Sequence, residues 1–405
     1  MGKTDEEEHA LMSREIAWET IAIRARTVLQ RTWKGAFHLE QPILVSDRGR
    51  NQVLRCRVQG AGMLPESIIV KRIKDPLDSV RGLTEWASLA FLSQLADEPP
   101  VAPHFLGGDA EHLLFIMQDL GEESSLEHIL RSSDSSRATS MFCALARQMG
   151  RLHATTMGKE RHFERICEDL SLARVSSRFQ EAEQWLKDCH KVEDWCRELS
   201  YRPPVGFEQA CLRIAETFAH PGAFLALTHG DPAPTNNQIH GSTIYLVDFE
   251  YGGYRHVLYD LTGWNILCPL PKACVDLMSH HLRTALLHVC PAVGDDETYQ
   301  TAWAMLCTYR AMALLSWMPL RLIKHNLPWA DNWSRREAMM VALFRWEEAT
   351  RGVPGLEVIA EMAAQLFKRC ELLWPAIEVE SNPAWPAFLP TSFPQSQFNS
   401  PTVPD

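Results

Sequence analysis

The chain has 405 residues, 46% of them hydrophobic and 22% charged, with a formal net charge of −11. These fractions are those of a globular protein, and the length calls for two or three domains or one bilobal unit. The acidic balance excludes non-specific nucleic-acid binding as the main task, since that needs basic surface to displace counterions, and no apolar stretch approaches the ~20 residues that span a bilayer.

Eleven cysteines, an odd count with no CxxC pair, read as reduced thiols. The acidic opening MGKTDEEEH lacks the character of a secretory signal, so the expected location is the cytoplasm. Residues 15–33 have helical periodicity, with Ile16, Ile21, Ile23, Ala25, Val28 and Leu29 able to share one face. Three strands follow at 43–45, 53–58 and 67–73, with turns at SDRGRN and GAGMLPE. Residues 78–96 read as an amphipathic helix, APHFLGGD as a loop, and HLLFIMQDLGE as an apolar strand running into a bend. Helical patterning then dominates from 136 to about 218, where a loop and a hairpin interrupt it, and resumes from 260 to about 374. The last stretch, rich in Pro, Ser and Gln, predicts a mobile tail. The expected domains are an N-terminal helical extension (1–36), a β-rich lobe (37–121), a helical lobe (122–375) and the tail (376–405). A ligand cleft is expected between the two lobes.

The interruption reads LALTHGDPAPTNNQIHGSTIYLVDFE, residues 225–250. Taken singly, Asp231, Asn236 and Asp248 are ordinary turn residues. Taken together they are not. NQIH-GS-TIYL predicts a hairpin, and paired strands lie ~4.8 Å apart. Asn236 enters the hairpin and Asp248 leaves it, with Asp231 in the loop just before. Two carboxylates and an amide oxygen on one spot require a cation, and magnesium takes such ligands together with substrate phosphates. The roles that follow are Asp248 and Asn236 on magnesium, and Asp231 orienting a hydroxyl and taking its proton. Pro232 and Pro234 stiffen the loop.

These motifs, HGDPAPTNN followed by LVDFE, resemble those of the aminoglycoside phosphotransferase and choline kinase superfamily, whose fold resembles that of protein kinases. DFEYGGYRHVLYDLTGW extends the likeness to Asp260–Leu261. The resemblance covers roughly residues 40–350 and is most specific at 229–261. It implies an α+β bilobal fold with an antiparallel-sheet N-lobe and a mostly helical C-lobe. It implies ATP and magnesium, and a small molecule carrying the acceptor hydroxyl, aminoglycoside-, choline- or sugar-like. SIIVKRI is similar to the strand that carries the phosphate-binding lysine, here Lys71, and LTEWASLAFL to the helix whose glutamate, here Glu85, pairs with it. LLFIMQDLG is similar to the hinge that holds adenine, near Gln118 and Leu120. The first turn, SDRGRNQV, has one glycine and departs from GxGxxG, which leaves Ser46, Gly49 and Asn51 as the phosphate contacts to test.

HGD in place of HRD, DFE in place of DFG, and the lack of an Ala-Pro-Glu segment argue against protein substrates. A nucleotide-binding pseudokinase scaffold is the rival reading, and the presence of Lys71, Asp231, Asn236 and Asp248 counts against it. His229 and Asp260 are expected to brace the loop, and His153 to be a core histidine. Glu250 faces either the metal shell or solvent. Trp264, Trp303, Trp317, Trp329, Trp333 and Trp346 form a pool from which a cationic-amine pocket could be built. Asp331, Glu337, Glu347 and Glu348 are alternative amine partners or a solvated face.

Overall fold

The structure is a computed structural model that describes residues 18–33, 36–60, 65–95, 100–121, 124–172, 177–379 and 383–389. The N-terminal lobe is built on an antiparallel sheet of β1 (His38–Arg48), β2 (Asn51–Gln59), β3 (Ser67–Ile73), β4 (Phe105–Asp109) and β5 (Leu114–Gln118), in spatial order β1-β2-β3-β5-β4. A helix over 18–32, α1, covers one face, and α2 (Val80–Ser93) covers the other.

Strand alternation sorts the side chains between them. Ile68 and Val70 join Leu54, Cys56, Leu114 and Ile116 in a core with Ile21, Ala25, Val28 and Leu29 of α1. Ile73 and Phe115 pack instead with Leu83 and Trp86 of α2. Lys71 is in phase with Ile73, so its stem enters the α2 side, where no lysine would be buried unpaired.

The C-terminal lobe contains α3 (Leu126–Leu130), α4 (Ser135–Thr156), α5 (Glu160–Asp169), α6 (Ser177–Glu198) and α7 (Phe207–Ala219). Four short strands follow: β6 (Leu225–Thr228), β7 (Asn237–His240), β8 (Thr243–Leu246) and β9 (Gly253–His256). Then come α8 (Tyr259–Ile266), α9 (Lys272–Leu286), α10 (Asp296–Trp317), α11 (Leu320–Ile323), a small ladder of β10 (Pro328–Ala330) and β11 (Trp333–Ser334), α12 (Arg335–Thr350) and α13 (Glu357–Leu373). Helix starts carry their caps: Asp134 accepts from the N–H of Arg137, Asp295 from that of Thr298, and Ser334 and Glu337 form a capping box. All eleven cysteines are free thiols and ten are buried. Among the described residues no helix is long and apolar enough to cross a membrane.

Several expectations change. APHFLGGD does not stay a loop: its second half is β4, because pairing with β5 overrides the low strand propensity of Gly107 and Gly108. Ile23 is 58% exposed and leaves the apolar face of α1, whereas Ala22 joins it; Ile16 lies outside the described residues. The strands β6, β9, β10 and β11 have two to four residues each, too short to show a period. Within the expected tail, Ala384, Trp385 and Ala387 are buried against the helical lobe, and the N–H of Asn332 donates to the carbonyl of Ala384. Residues 390–405 lie outside the described residues.

Candidate active site

Two nested ladders hold the site. The inner one is the expected hairpin: Asn237 pairs with Leu246, and just beyond it the N–H of Val247 donates to the carbonyl of Asn236 at 3.0 Å. The outer one pairs β6 with β9, setting Thr228 opposite Gly253. It places His229–Asp231, which follow β6, beside Asp248–Gly252, which precede β9.

The loop between the ladders is braced from three sides. Asp260, fully buried at the start of α8, accepts from the N–H groups of His229 (2.7 Å) and Gly230 (3.0 Å). His229 bridges the two motifs: its Nε2 bonds the carbonyl of Val247 at 2.8 Å, and its Nδ1 accepts from the N–H of Asp231 at 3.3 Å. The Nε2-protonated tautomer satisfies both. The side-chain amide of Asn236 donates to the carbonyl of Asp231 at 3.0 Å. Gly230 has φ +88°, and a Cβ there would lie 2.2 Å from the carbonyl of Tyr251. Only glycine lets the two motifs approach this closely.

Across the cleft, Lys71 is 6% exposed and its ammonium bonds the carboxylate of Glu85, which is 1% exposed. The same ammonium donates to Asp248 Oδ1 at 2.8 Å. Burial works against the Lys71 charge, but Glu85 and Asp248 more than offset it and hold the lysine above its ordinary range. Burial likewise works against the Asp248 charge, and Lys71 holds its carboxyl below the usual range. Asp248 has φ +66°, a left-handed backbone that turns its carboxylate toward Lys71; its side chain stays 39% exposed to the cleft. Burial raises the Asp231 carboxyl above its ordinary 3.8, His229 and Arg310 pull it partly back, and Asp248 and Asp260 add to the rise.

Beside Asp231 lies a cavity of about 340 Å³. Tyr251, Tyr259, Trp264, Arg310 and Trp317 line it with Asp231. Its walls come from the loop, from α8 and from α10.

The model of the phosphotransferase enzyme family matches residues 51–268, more than half of the chain. The chain belongs to that family. No curated protein matches the sequence. Among solved structures, a choline kinase from Streptococcus pneumoniae is 13% identical, covers 84% of this chain and 99% of its own, and gives a TM-score of 0.43. The ternary complex of APH(2")-IIa with streptomycin and ATP gives 14% identity, 71% and 91% coverage, and a TM-score of 0.45. A choline/ethanolamine kinase family protein from Mesorhizobium loti gives 16%, 82% and 93%, and a TM-score of 0.42.

This phosphotransferase has the bilobal kinase-like fold expected of it. Its remaining candidate residues fall in different places. Gly49 sits at the β1–β2 turn with φ +51°. Ser46 is half-buried on β1. The Oδ1 of Asn51 is buried without a hydrogen-bond partner, on the side of Gly82 in α2. The N–H of Gln118 is taken by the carbonyl of His104. Leu120 is different: its N–H and carbonyl have no partner among the described residues.

The Glu250 side chain is 14% exposed. Arg50 of the β1–β2 turn bonds it at 3.2 Å and ties that turn to the C-terminal lobe. Of the six tryptophans, Trp264 and Trp317 alone line the cavity by Asp231. Trp346 is core, bonded to Thr308, and Trp303 lines a second cavity. The acidic set is spent elsewhere: Asp331 on Arg131, Glu337 in the capping box, Glu347 on Arg351, and Glu348 near Lys272. Sequence reasoning missed Arg50 and Arg310, since an arginine in a turn or mid-helix carries no local signal of its partner.

Proposed function

We propose that this phosphotransferase moves the γ-phosphoryl group of ATP to a hydroxyl of a small molecule, with magnesium. The observation that carries the reading is the juxtaposition of two half-sites. A buried lysine shared by two carboxylates faces one side of the 229–252 loops, and Asp231 opens an aromatic cavity on the other.

The donor set fits magnesium: a half-exposed carboxylate, Asp248, and the Asn236 carboxamide beside it. Magnesium, when bound, supplies neutralising charge along the phosphates. Lys71 takes phosphate oxygens while Glu85 holds its ammonium in place. The backbone of Leu120 reads adenine. Asp231 orients the hydroxyl and accepts its proton as the acceptor oxygen bonds to the γ-phosphorus and the bond to ADP breaks. A cavity of about 340 Å³ is of the size that small-molecule sites have.

The test is thermal unfolding with ATP, with and without magnesium, for wild type and Asp248→Asn. Ligand at about 100 times its Kd adds roughly 2.7 kcal/mol. A magnesium-dependent rise that Asp248→Asn abolishes is the expected result; no rise with Mg-ATP would sink the reading. ADP release that depends on an added hydroxyl compound separates a kinase from a nucleotide-binding scaffold.

A further inference from the structure

The cavity beside Asp231 is lined by a guanidinium that has no ion-pair partner among the described residues. Arg310 is 4% exposed. Its Nε and Nη2 donate to the carbonyl of Tyr259, at 3.2 and 2.6 Å, and its Cζ lies 3.8 Å from the centre of the Tyr259 ring. Among the described residues it has no carboxylate within ion-pair distance, and Nη1 makes no hydrogen bond. Asp231, Asp260 and Glu181 act on it only through space. The nearby Arg255 shows the usual solution, a 2.7 Å pair with Glu181. A buried guanidinium stays charged and is costly without a counter-anion. A carbonyl and a ring face offset only part of that cost.

Trp264, 1% exposed, packs in the same wall beside Tyr251, Tyr259 and Trp317. The free Nη1 of Arg310 therefore stands in a cavity lined by aromatic rings whose one carboxylate is Asp231. A trimethylammonium or polyamine guest would meet Arg310 with like charge.

We propose that the acceptor is a hydroxy acid: a hydroxyl for Asp231, an apolar body between Tyr251, Tyr259 and Trp317, and a carboxylate for Arg310. The Nε–Nη2 edge of the guanidinium is already taken by Tyr259, so one end of the fork is left. That matches a carboxylate oxygen and falls short of what a phosphate dianion needs. The assignment rests on the kinase reading above and names its acceptor class.

The experiment uses a matched set of probes, 3-hydroxy-2-phenylpropanoate, its amide, and the analogue carrying trimethylammonium in place of the carboxylate. Binding to the full chain is measured by calorimetry with Mg-ATP present, and ADP release is followed in parallel. The carboxylate is expected to bind about tenfold or more tighter than the amide, as a charge-assisted bond to a buried donor implies. Arg310→Gln removes the charge but keeps an N–H donor. It is expected to erase most of that preference while the amide's affinity changes little. Mg-ATP stabilisation reports whether the variant folds. Equal binding of carboxylate and amide, preference for the trimethylammonium analogue, or no binding of the carboxylate each overturns the proposal. If Mg-ATP still stabilises the protein in those cases, the acceptor class alone is wrong. If Mg-ATP does not bind, the kinase reading fails as well.

Discussion

Asp231 stands between two demands. In the proposed role it must be ionised to accept a proton, yet its surroundings raise its pKa above the ordinary 3.8. As pH falls, the ionised base is therefore lost earlier than an exposed aspartate would be, so kcat/KM should decline on acidification with a midpoint above 3.8. Asp231→Asn should lose that limb together with at least about 10²-fold of turnover, with Mg-ATP stabilisation retained. A pH–rate profile of both proteins checks this, and near-full turnover by the variant would remove Asp231 from its role. The same shift has a stability sign. A carboxyl raised in the folded state opposes folding above its unfolded pKa, and the cost vanishes below it. Asp231→Asn should accordingly leave Tm unchanged or slightly higher at neutral pH, with no difference at the acid end.

At the level of elements, the site depends on two short ladders whose registers leave no slack. Gly230 is the point of closest approach. With φ +88° and the carbonyl of Tyr251 2.2 Å from where a Cβ would sit, Gly230→Ala must move one motif away from the other. The expected loss is about 1–3 kcal/mol of stability, with turnover falling alongside. Gly241→Ala is the control. Its φ is +62° in the hairpin turn, but nothing lies within 4 Å, so it should cost ~1 kcal/mol and leave turnover intact. Thermal unfolding and a turnover assay read both variants; equal effects would mean that the loop tolerates separation of its motifs. The hairpin was legible in the sequence because Gly-Ser flanked by alternating residues is a local signal. The β6–β9 ladder was not, because its four-residue strands are defined only by each other.

Across the whole molecule, two contacts join parts that sequence order keeps far apart. Arg50 on the β1–β2 turn reaches Glu250, and Lys71 on β3 reaches Asp248. The first is part-exposed and contributes little stability; its effect is to seat the turn over the cleft. The second is buried on its lysine side. The chain end adds a third contact. Residues 383–389 dock with Trp385 9% exposed against the helical lobe. Trp385→Ala should cost about 3 kcal/mol or more. Denaturant unfolding measures it, and a change under about 0.5 kcal/mol would show that the segment does not hold its place.

The local chemistry was fixed by sequence alone: the apolar periods of the sheet and long helices, the hairpin turn, and the spacing of Asp231, Asn236 and Asp248. Each of these is decided within one or two dozen residues by backbone sterics, side-chain period and turn propensity. Lys71 and Glu85 were found by likeness, and strand phase explains why they meet. Tertiary structure alone decided which of the tryptophans and acids face a cavity, that Arg310 is buried beside Asp231 without an ion-pair partner among the described residues, and that part of the tail folds back. Those are contacts between distant segments, set by how helices and ladders pack, and no local pattern encodes them.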